Sequence, residues 1–300
     1  MSSLHKKFKI AGMGEVLWDI YGKQKFPGGA PANFAANVHF AGHHGIILSR
    51  VGNDALGAEL LQELGNLGVD GSFIQKDDLK PTGTVRVSVD ENGIPSFECN
   101  RDVAFDNMEL RREWIELANK LDAVLFGTLA QRGEKSRRTI QAFLKSAANT
   151  IKMFDVNLRG WNDKVLQTVR DSLALADVIK MNEDELRQLK SAFSGSGSNE
   201  DFLQDILQKF DLRLAAVTLG EKGCFLVSRT KVVRHPGFKV DVKDTTGSGD
   251  AFAAGLILKL LEKKSPEEMA EFGNRLGAFV ATQKGASPRW TEKDILTFER

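Results

Sequence analysis

The chain reads as an α/β protein, with a mostly parallel central sheet flanked by helices and a small β appendage. Three observations carry this. Five short apolar runs end at glycine or at polar residues, helical patterns separate them, and one segment at 82–100 breaks the rhythm by alternating with period two. Continuous short apolar runs suit strands buried on both faces, and strands alternating with helices imply a parallel sheet.

Taken in order, FKIAGMGEVL opens with an apolar run that ends at glycine, which predicts the first strand. TGTVRVSVDENGIPSFECN (82–100) alternates on both sides of Glu91-Asn92-Gly93, and Asn-Gly is a strong hairpin signal. A two-sided pair of this kind has no place in a helix-covered sheet, so it is assigned to the appendage. DAVLFGTL (122–129), IKMFDVN (151–157), ADVIKMN (176–182) and LAAVTLG (214–220) predict four further strands. EKSRRTIQAFLKSAAN and DKVLQTVRDSLALA supply helical patterns between them. SGSGSNE (194–200) reads as a surface loop between two helices, because nothing strand-like precedes its glycines. No internal repeat is evident, and the chain is expected to form one domain over 1–300.

Composition bounds the function. The chain has 300 residues, 42% of them apolar, and a net charge of +1. This balance carries no electrostatic footprint for nucleic acid or anionic membrane. Cys99 and Cys224 cannot build a disulfide framework and are expected to be reduced thiols. MSSLHKKFKIAGMGEVLWDI holds no long apolar stretch of a signal peptide, and AFAAGLILKLL is too short to span a bilayer and is cut by Lys259. A soluble, cytoplasmic protein is expected. His43 and His44 lack further ligands nearby in sequence and read as a solvated loop.

In open parallel sheets, ligands collect at the carboxyl ends of the strands. Polar residues cluster there: Asp155, Asn157 and Arg159 after one strand, Asn182 and Glu185 after another, Thr218 and Gly220 after a third. DTTGSGDAFAAG (244–255) adds a glycine turn that runs into a small-residue helix. Gly247 and Gly249, on either side of Ser248, allow successive N–H groups to converge, and the helix start adds unpaired amides and the positive end of its dipole. This is an anion hole with Asp250 at its rim. A carboxylate repels phosphate but serves well as general base for an attacking hydroxyl. The same residue also reads as an N-cap, and the local pattern leaves both readings open. G-x-x-x-x-G-K-[ST] and the H-R-D and D-F-G sets are absent, and Leu17 stands where GMG at 12–14 would need a third glycine.

A second cluster, PGGAPANFAANVHFAGHHGIILSRVGNDALG (27–57), pairs Gly28-Gly29 with Asn33. Together with DTTGSGDAFAAG, TLGEKG (218–223) and KGASP (284–288), it makes essentially the whole chain resemble the ribokinase-like (PfkB) carbohydrate kinases. The resemblance implies a ribokinase-like three-layer fold with a lid built from about 15–30 and 72–105, and transfer of the γ-phosphate of ATP to a sugar hydroxyl. By it, Asp250 is the general base and Gly247, Ser248 and Gly249 form the anion hole. Alanine is usual where Ser248 stands. Thr218, Gly220, Gly223 and Gly285 line ATP. Asn182 and Glu185 form the Asn-x-x-Glu motif that helps hold Mg²⁺ and phosphate through water, a spacing that also suits a capping box. Asp244 and Thr246 match a monovalent-cation site, K⁺ in many relatives. Asp19, Gly28, Gly29 and Asn33 match sugar contacts. Lid edges in this family often pair two subunits, which implies a homodimer.

GEVLWDIYG, FGTLAQR and DVNLRGWND look most like bacterial fructokinases, which make fructose 6-phosphate. Arg101, Arg132 and Arg159 complicate this, because arginine clusters suit anionic acceptors, and the D-x-N-x-R pattern at 155–159 also occurs in 2-keto-3-deoxygluconate kinases. The alternative is that Arg159 pairs with ATP phosphates or a nearby carboxylate and Arg132 with a helix acid such as Glu134. Fructose is the preferred acceptor, with the keto acid or another sugar or nucleoside as alternative. A non-catalytic kinase-like partner protein is disfavoured because Asp250, Gly247, Gly249 and Gly29 are all present.

Overall fold

The computed structural model describes residues 6–89 and 95–298, without the side chains of 87–89 and 95–97. The Glu91-Asn92-Gly93 turn lies outside the described residues. The strands run in chain order as β1 (Lys9–Met13), β2 (Leu17–Tyr21), β3 (Gln24–Gly28), β4 (His44–Gly52), β5 (Ile74–Asp77), β6 (Gly83–Val89), β7 (Pro95–Cys99), β8 (Ala123–Gly127), β9 (Ile151–Asp155), β10 (Val178–Asn182), β11 (Leu214–Thr218), β12 (Cys224–Ser228) and β13 (Val232–His235). Nine form the central sheet in the order β13-β12-β11-β10-β9-β8-β1-β4-β5. Every pairing from β5 across to β11 is parallel, and β12 and β13 close that edge antiparallel.

Alternation within each apolar run fills both faces. Val124 and Phe126 of β8 enter one core with the helices Arg112–Ala118, Glu134–Ser146, Asp163–Leu173, Glu183–Ala192 and Asn199–Lys209. Ala123 and Leu125 enter the opposite core with the helices Ala30–Phe40, Ser248–Leu261 and Pro266–Ala281. Burial on both sides removes any polar alternation from the sequence, which is why these strands read as continuous apolar runs.

A second sheet, ordered β3-β2-β6-β7, stands apart from the central one. It rises between β1 and the helix Ala30–Phe40, at the carboxyl end of β1. Its two segments are narrower than the 15–30 and 72–105 expected. Ile74–Asp77 pairs with β4 in the central sheet, because Ser49 to Gly52 offer it a parallel edge.

Cys99 and Cys224 are both free thiols. His43 is half-buried instead of solvated: its Nδ1 accepts the Phe8 N–H at 3.2 Å and its ring lies 5.1 Å from that of Phe8. The SGSGSNE segment connects the helices ending at Ala192 and starting at Asn199. Among the described residues no helix is long and apolar enough to cross a membrane.

Candidate active site

The helix Ser248–Leu261 starts from Gly247, which holds φ +79°. A Cβ there would fall 2.0 Å from the Ala286 carbonyl oxygen, so both conformation and space demand glycine. The amides of the first helical turn lack intrahelical acceptors by geometry. Ser248 N–H closes a turn to Thr245 O at 3.2 Å. The Ser248 hydroxyl is buried without a hydrogen-bond partner among the described residues.

Asp250, in the first turn, is partly open to this cleft, and its Oδ2 accepts Asn33 Nδ2 at 2.8 Å. Asn33 comes from the first turns of the helix Ala30–Phe40, and its Oδ1 in turn accepts the Ser287 hydroxyl at 3.0 Å. Desolvation by the surrounding walls, reinforced by the Asp155 charge, pushes the Asp250 carboxyl up to about 7; Lys180, Asn33 and Arg159 oppose the rise. Lys180 is buried and its Nζ lies 3.1 and 3.0 Å from the two oxygens of Asp155.

Two more carboxyls lie near Arg159, one of them, Asp19, expected at the acceptor side. Burial lifts Asp19 to about 6 and Glu15 to about 7, and the Arg159 guanidinium opposes both. Asp19 Oδ2 lies 2.1 Å from where a Cβ on Gly28 would stand, so a side chain at 28 would have to push the Asp19 carboxyl aside. Gly29 caps the helix Ala30–Phe40. Arg159 is exposed beyond β9, and Arg101 is exposed beyond β7. Arg132 differs from expectation. It pairs with Asp106, Nε to Oδ1 at 2.7 Å and Nη2 to Oδ2 at 2.9 Å, and also donates to Cys99 Sγ and the Asn100 carbonyl. Glu134 instead pairs with Arg138, four residues along its own helix. The fork of a guanidinium matches a carboxylate at this distance, and Asp106 is the buried carboxylate within its reach.

Asn182 and Glu185, expected on the nucleotide side, close a reciprocal capping box: Asn182 Oδ1 accepts Glu185 N–H at 2.9 Å and Glu185 Oε2 accepts Asn182 N–H at 2.8 Å. Glu185 Oε1 also accepts Leu158 N–H at 2.8 Å. Burial and the Asp155 charge push the Glu185 carboxyl upward, against Lys180 and these amides. Thr218 ends β11, and Gly220–Lys222 forms a 3-10 turn closed by Leu219 N–H on Gly223 O at 2.8 Å. Asp244 accepts Thr246 N–H at 2.9 Å and Gly285 N–H at 3.1 Å; despite burial, these bonds hold its carboxyl below the usual range. Among the described residues no group of three or more His, Cys, Asp or Glu is suited to hold a metal.

The model of the pfkB family of carbohydrate kinases matches residues 20–293. The chain belongs to that family. Among relatives of this sugar kinase, the fructokinase of Escherichia coli is 30% identical over 278 residues, covering 87% of each chain. The crystal structure of an uncharacterized sugar kinase from Pyrococcus horikoshii in complex with ATP superposes with a TM-score of 0.81, at 33% identity over 93% of this chain and 95% of that one. Fructokinase from Vibrio cholerae, in its fructose, ADP and calcium ion bound form, gives 0.82 at 26% identity over 97% and 99%. The fold is therefore ribokinase-like, and the chemistry is phosphoryl transfer to a sugar.

Several residues of this kinase's cleft escape the motifs. Glu15 and Ser287 lie inside quoted segments, yet no spacing marks them. Lys180 carries a legible signal: a charge inside an apolar run that is buried on both faces demands a partner.

Proposed function

We propose that this kinase phosphorylates fructose on its primary hydroxyl, giving fructose 6-phosphate. The observation that carries this is the charge of the acceptor side. Glu15 and Asp250 lie within electrostatic reach of each other there, Asp19 and Glu15 share the Arg159 guanidinium, and Arg132 is committed to Asp106. Carboxylates accept hydrogen bonds from the hydroxyls of a neutral polyol and repel an acidic acceptor. Fructokinase relatives and a fructose-bound neighbour support the same acceptor.

Asp19, Gly28, Gly29 and Arg159 contact the sugar, and the small sheet closes over it as a lid that excludes water. Asp250 removes the proton of the attacking hydroxyl, held in place by Asn33. The sugar oxygen bonds to the γ-phosphorus as its bond to the bridging oxygen breaks, and ADP leaves. Amides at Gly247, Ser248 and Gly249 hold the transferring group. Thr218, Gly220, Gly223 and Gly285 line the nucleotide.

Mg²⁺ fits this site as a companion of the phosphates, because hard oxygen-bound Mg²⁺ keeps several waters and needs few protein ligands. When bound it neutralises phosphate charge. Glu185, whose oxygens already take two backbone amides, retains lone pairs for a metal-bound water. Asp244 and Thr246 flank a K⁺ position. Tyr21 and Phe26, exposed and edge-to-face on the small sheet, suit pairing of two copies through the lid.

The test is ATP turnover against fructose, glucose, mannose, ribose, adenosine and 2-keto-3-deoxygluconate. The expected outcome is a kcat/KM for fructose far above the rest. A preference for the keto acid would overturn the fructose reading and give Arg159 the acceptor carboxylate.

A further inference from the structure

Beneath the proposed anion hole lies a charge pair whose lysine none of the motifs contains. Asp155 ends β9 and Lys180 sits on β10, and the two are direct partners in the parallel register. Their neighbours fix the direction of both side chains. Phe154, Ile179 and Met181 enter the core on one face, while Met153 and Val178 enter the other. Alternation therefore sends Asp155 and Lys180 toward the face covered by the helix Ser248–Leu261. There the Lys180 ammonium reaches the start of that helix, 3.0 Å from where a Cβ on Gly249 would stand. Lys180 is 7% exposed and Asp155 1%.

A buried ion pair is weak evidence for stability, since apolar residues of similar volume often do as well. Its position here gives it another use. We propose that Lys180, pinned by Asp155, is a positioning residue for phosphoryl transfer, setting the charge of Asp250 and the place of Gly249 from below. The charged groups facing Asp250 are Asp155 from β9, Lys180 from β10, Arg159 beyond β9 and Glu15 beyond β1, with neutral Asn33 from the helix Ala30–Phe40. The pair exerts opposite pulls on Asp250. Lys180 favours the carboxylate that accepts the proton, and Asp155 disfavours it.

This rests on Asp250 acting as the base, and the test separates the two claims. The acid limb of kcat/KM is measured against pH for the wild type, Lys180→Met and Asp155→Asn, with Asp250→Asn as control. Lys180→Met is expected to move the limb to higher pH by about one unit, and Asp155→Asn to move it lower. In Asp155→Asn the charges of Asp250 and Glu185 keep the ammonium protonated. Two variants that lose activity together with no opposed shift would reduce the pair to a structural role. Should Lys180→Met fail to fold, as its melting curve would show, the near-isosteric Asp155→Asn decides alone, and an unmoved limb overturns the proposal. If Asp250→Asn turns over normally, the base assignment fails instead.

Discussion

Asn33 donates its amide to Asp250 across 2.8 Å, although 217 positions separate the two residues. The bond joins the glycine motif near the start of the chain to the one near its end. The helices that carry them, Ala30–Phe40 and Ser248–Leu261, pack on the same face of the sheet. Asn33 was expected to contact the sugar. Its Nδ2 is directed at Asp250, and the Ser287 hydroxyl on its Oδ1 fixes which way round the amide sits.

Asp250→Asn should fold, bind sugar and lose about 10²–10⁴ in kcat, the usual contribution of a positioned base. Stability should change in the opposite sense. The native carboxyl is raised from 3.8 to about 7, so the fold disfavours the charged form. Below the unfolded value both states are protonated and nothing is lost. The penalty grows between those two values and is complete above the native one. The variant should therefore melt higher than the wild type at pH 8, with the gain gone near pH 4. A kcat near normal would remove Asp250 from the base role.

Gly247→Ala should abolish phosphoryl transfer more completely than its small size suggests. The added methyl meets the Ala286 carbonyl at 2.0 Å, and the left-handed φ of +79° strains any other residue. Relief requires the 244–247 turn to shift away from 285–286, which displaces the amides aimed at phosphate. A large rise in KM for ATP with a fall in kcat is the expected outcome. Unchanged constants would show that the turn does not hold phosphate.

The central sheet was legible because both faces of its strands are buried, which leaves mainly apolar runs at β1, β8, β9, β10 and β11, interrupted only by single lysines in β9 and β10. Strand β4 was hidden inside a motif read for its glycines, β12 (CFLVS) is an apolar run outside the five predicted strands, and β13 (VVRH) carries no comparable run. Strand β5 was counted with the appendage because four residues cannot declare which sheet they join. The turn at Gly247 was legible for the same reason that it exists: only glycine tolerates its geometry. The partners of Arg132 and Asn33 were not, since a guanidinium or an amide declares its chemistry but not its neighbour. The same limit hid the approach of Lys180 to Gly249, at the start of a helix far along the chain.

Arg132 tests that limit directly. Its bonds to Asp106, Cys99 and Asn100 tie the 3-10 turn Leu129–Gln131 to the end of β7. Asp106 is 7% exposed, so removing its partner leaves a carboxylate buried beside few other donors. Arg132→Ala should destabilise the fold by about 1.5–3 kcal/mol, the range for hydrogen bonds to charged groups. Arg159→Ala, at an exposed position on the acceptor side, should instead raise the KM for sugar with little change in melting. Denaturant midpoints and acceptor KM values read the two effects separately, and a reversed pattern would return Arg132 to the acceptor site.

Ser248→Ala carries the last prediction. The proposed anion hole draws on backbone amides, which alanine supplies as well as serine does. The serine hydroxyl is buried with no partner among the described residues. An unsatisfied buried hydroxyl costs about 1–3 kcal/mol of desolvation. Replacing it with a methyl removes that cost and leaves only a small void. The variant should therefore melt several degrees higher than the wild type, against the general rule that truncating a buried side chain destabilises. A lower melting temperature would mean that the hydroxyl is satisfied in solution, by water or by the phosphate it sits beside. Melting with and without ATP distinguishes these: a loss seen only with nucleotide assigns the hydroxyl to phosphate, and a loss in both assigns it to water.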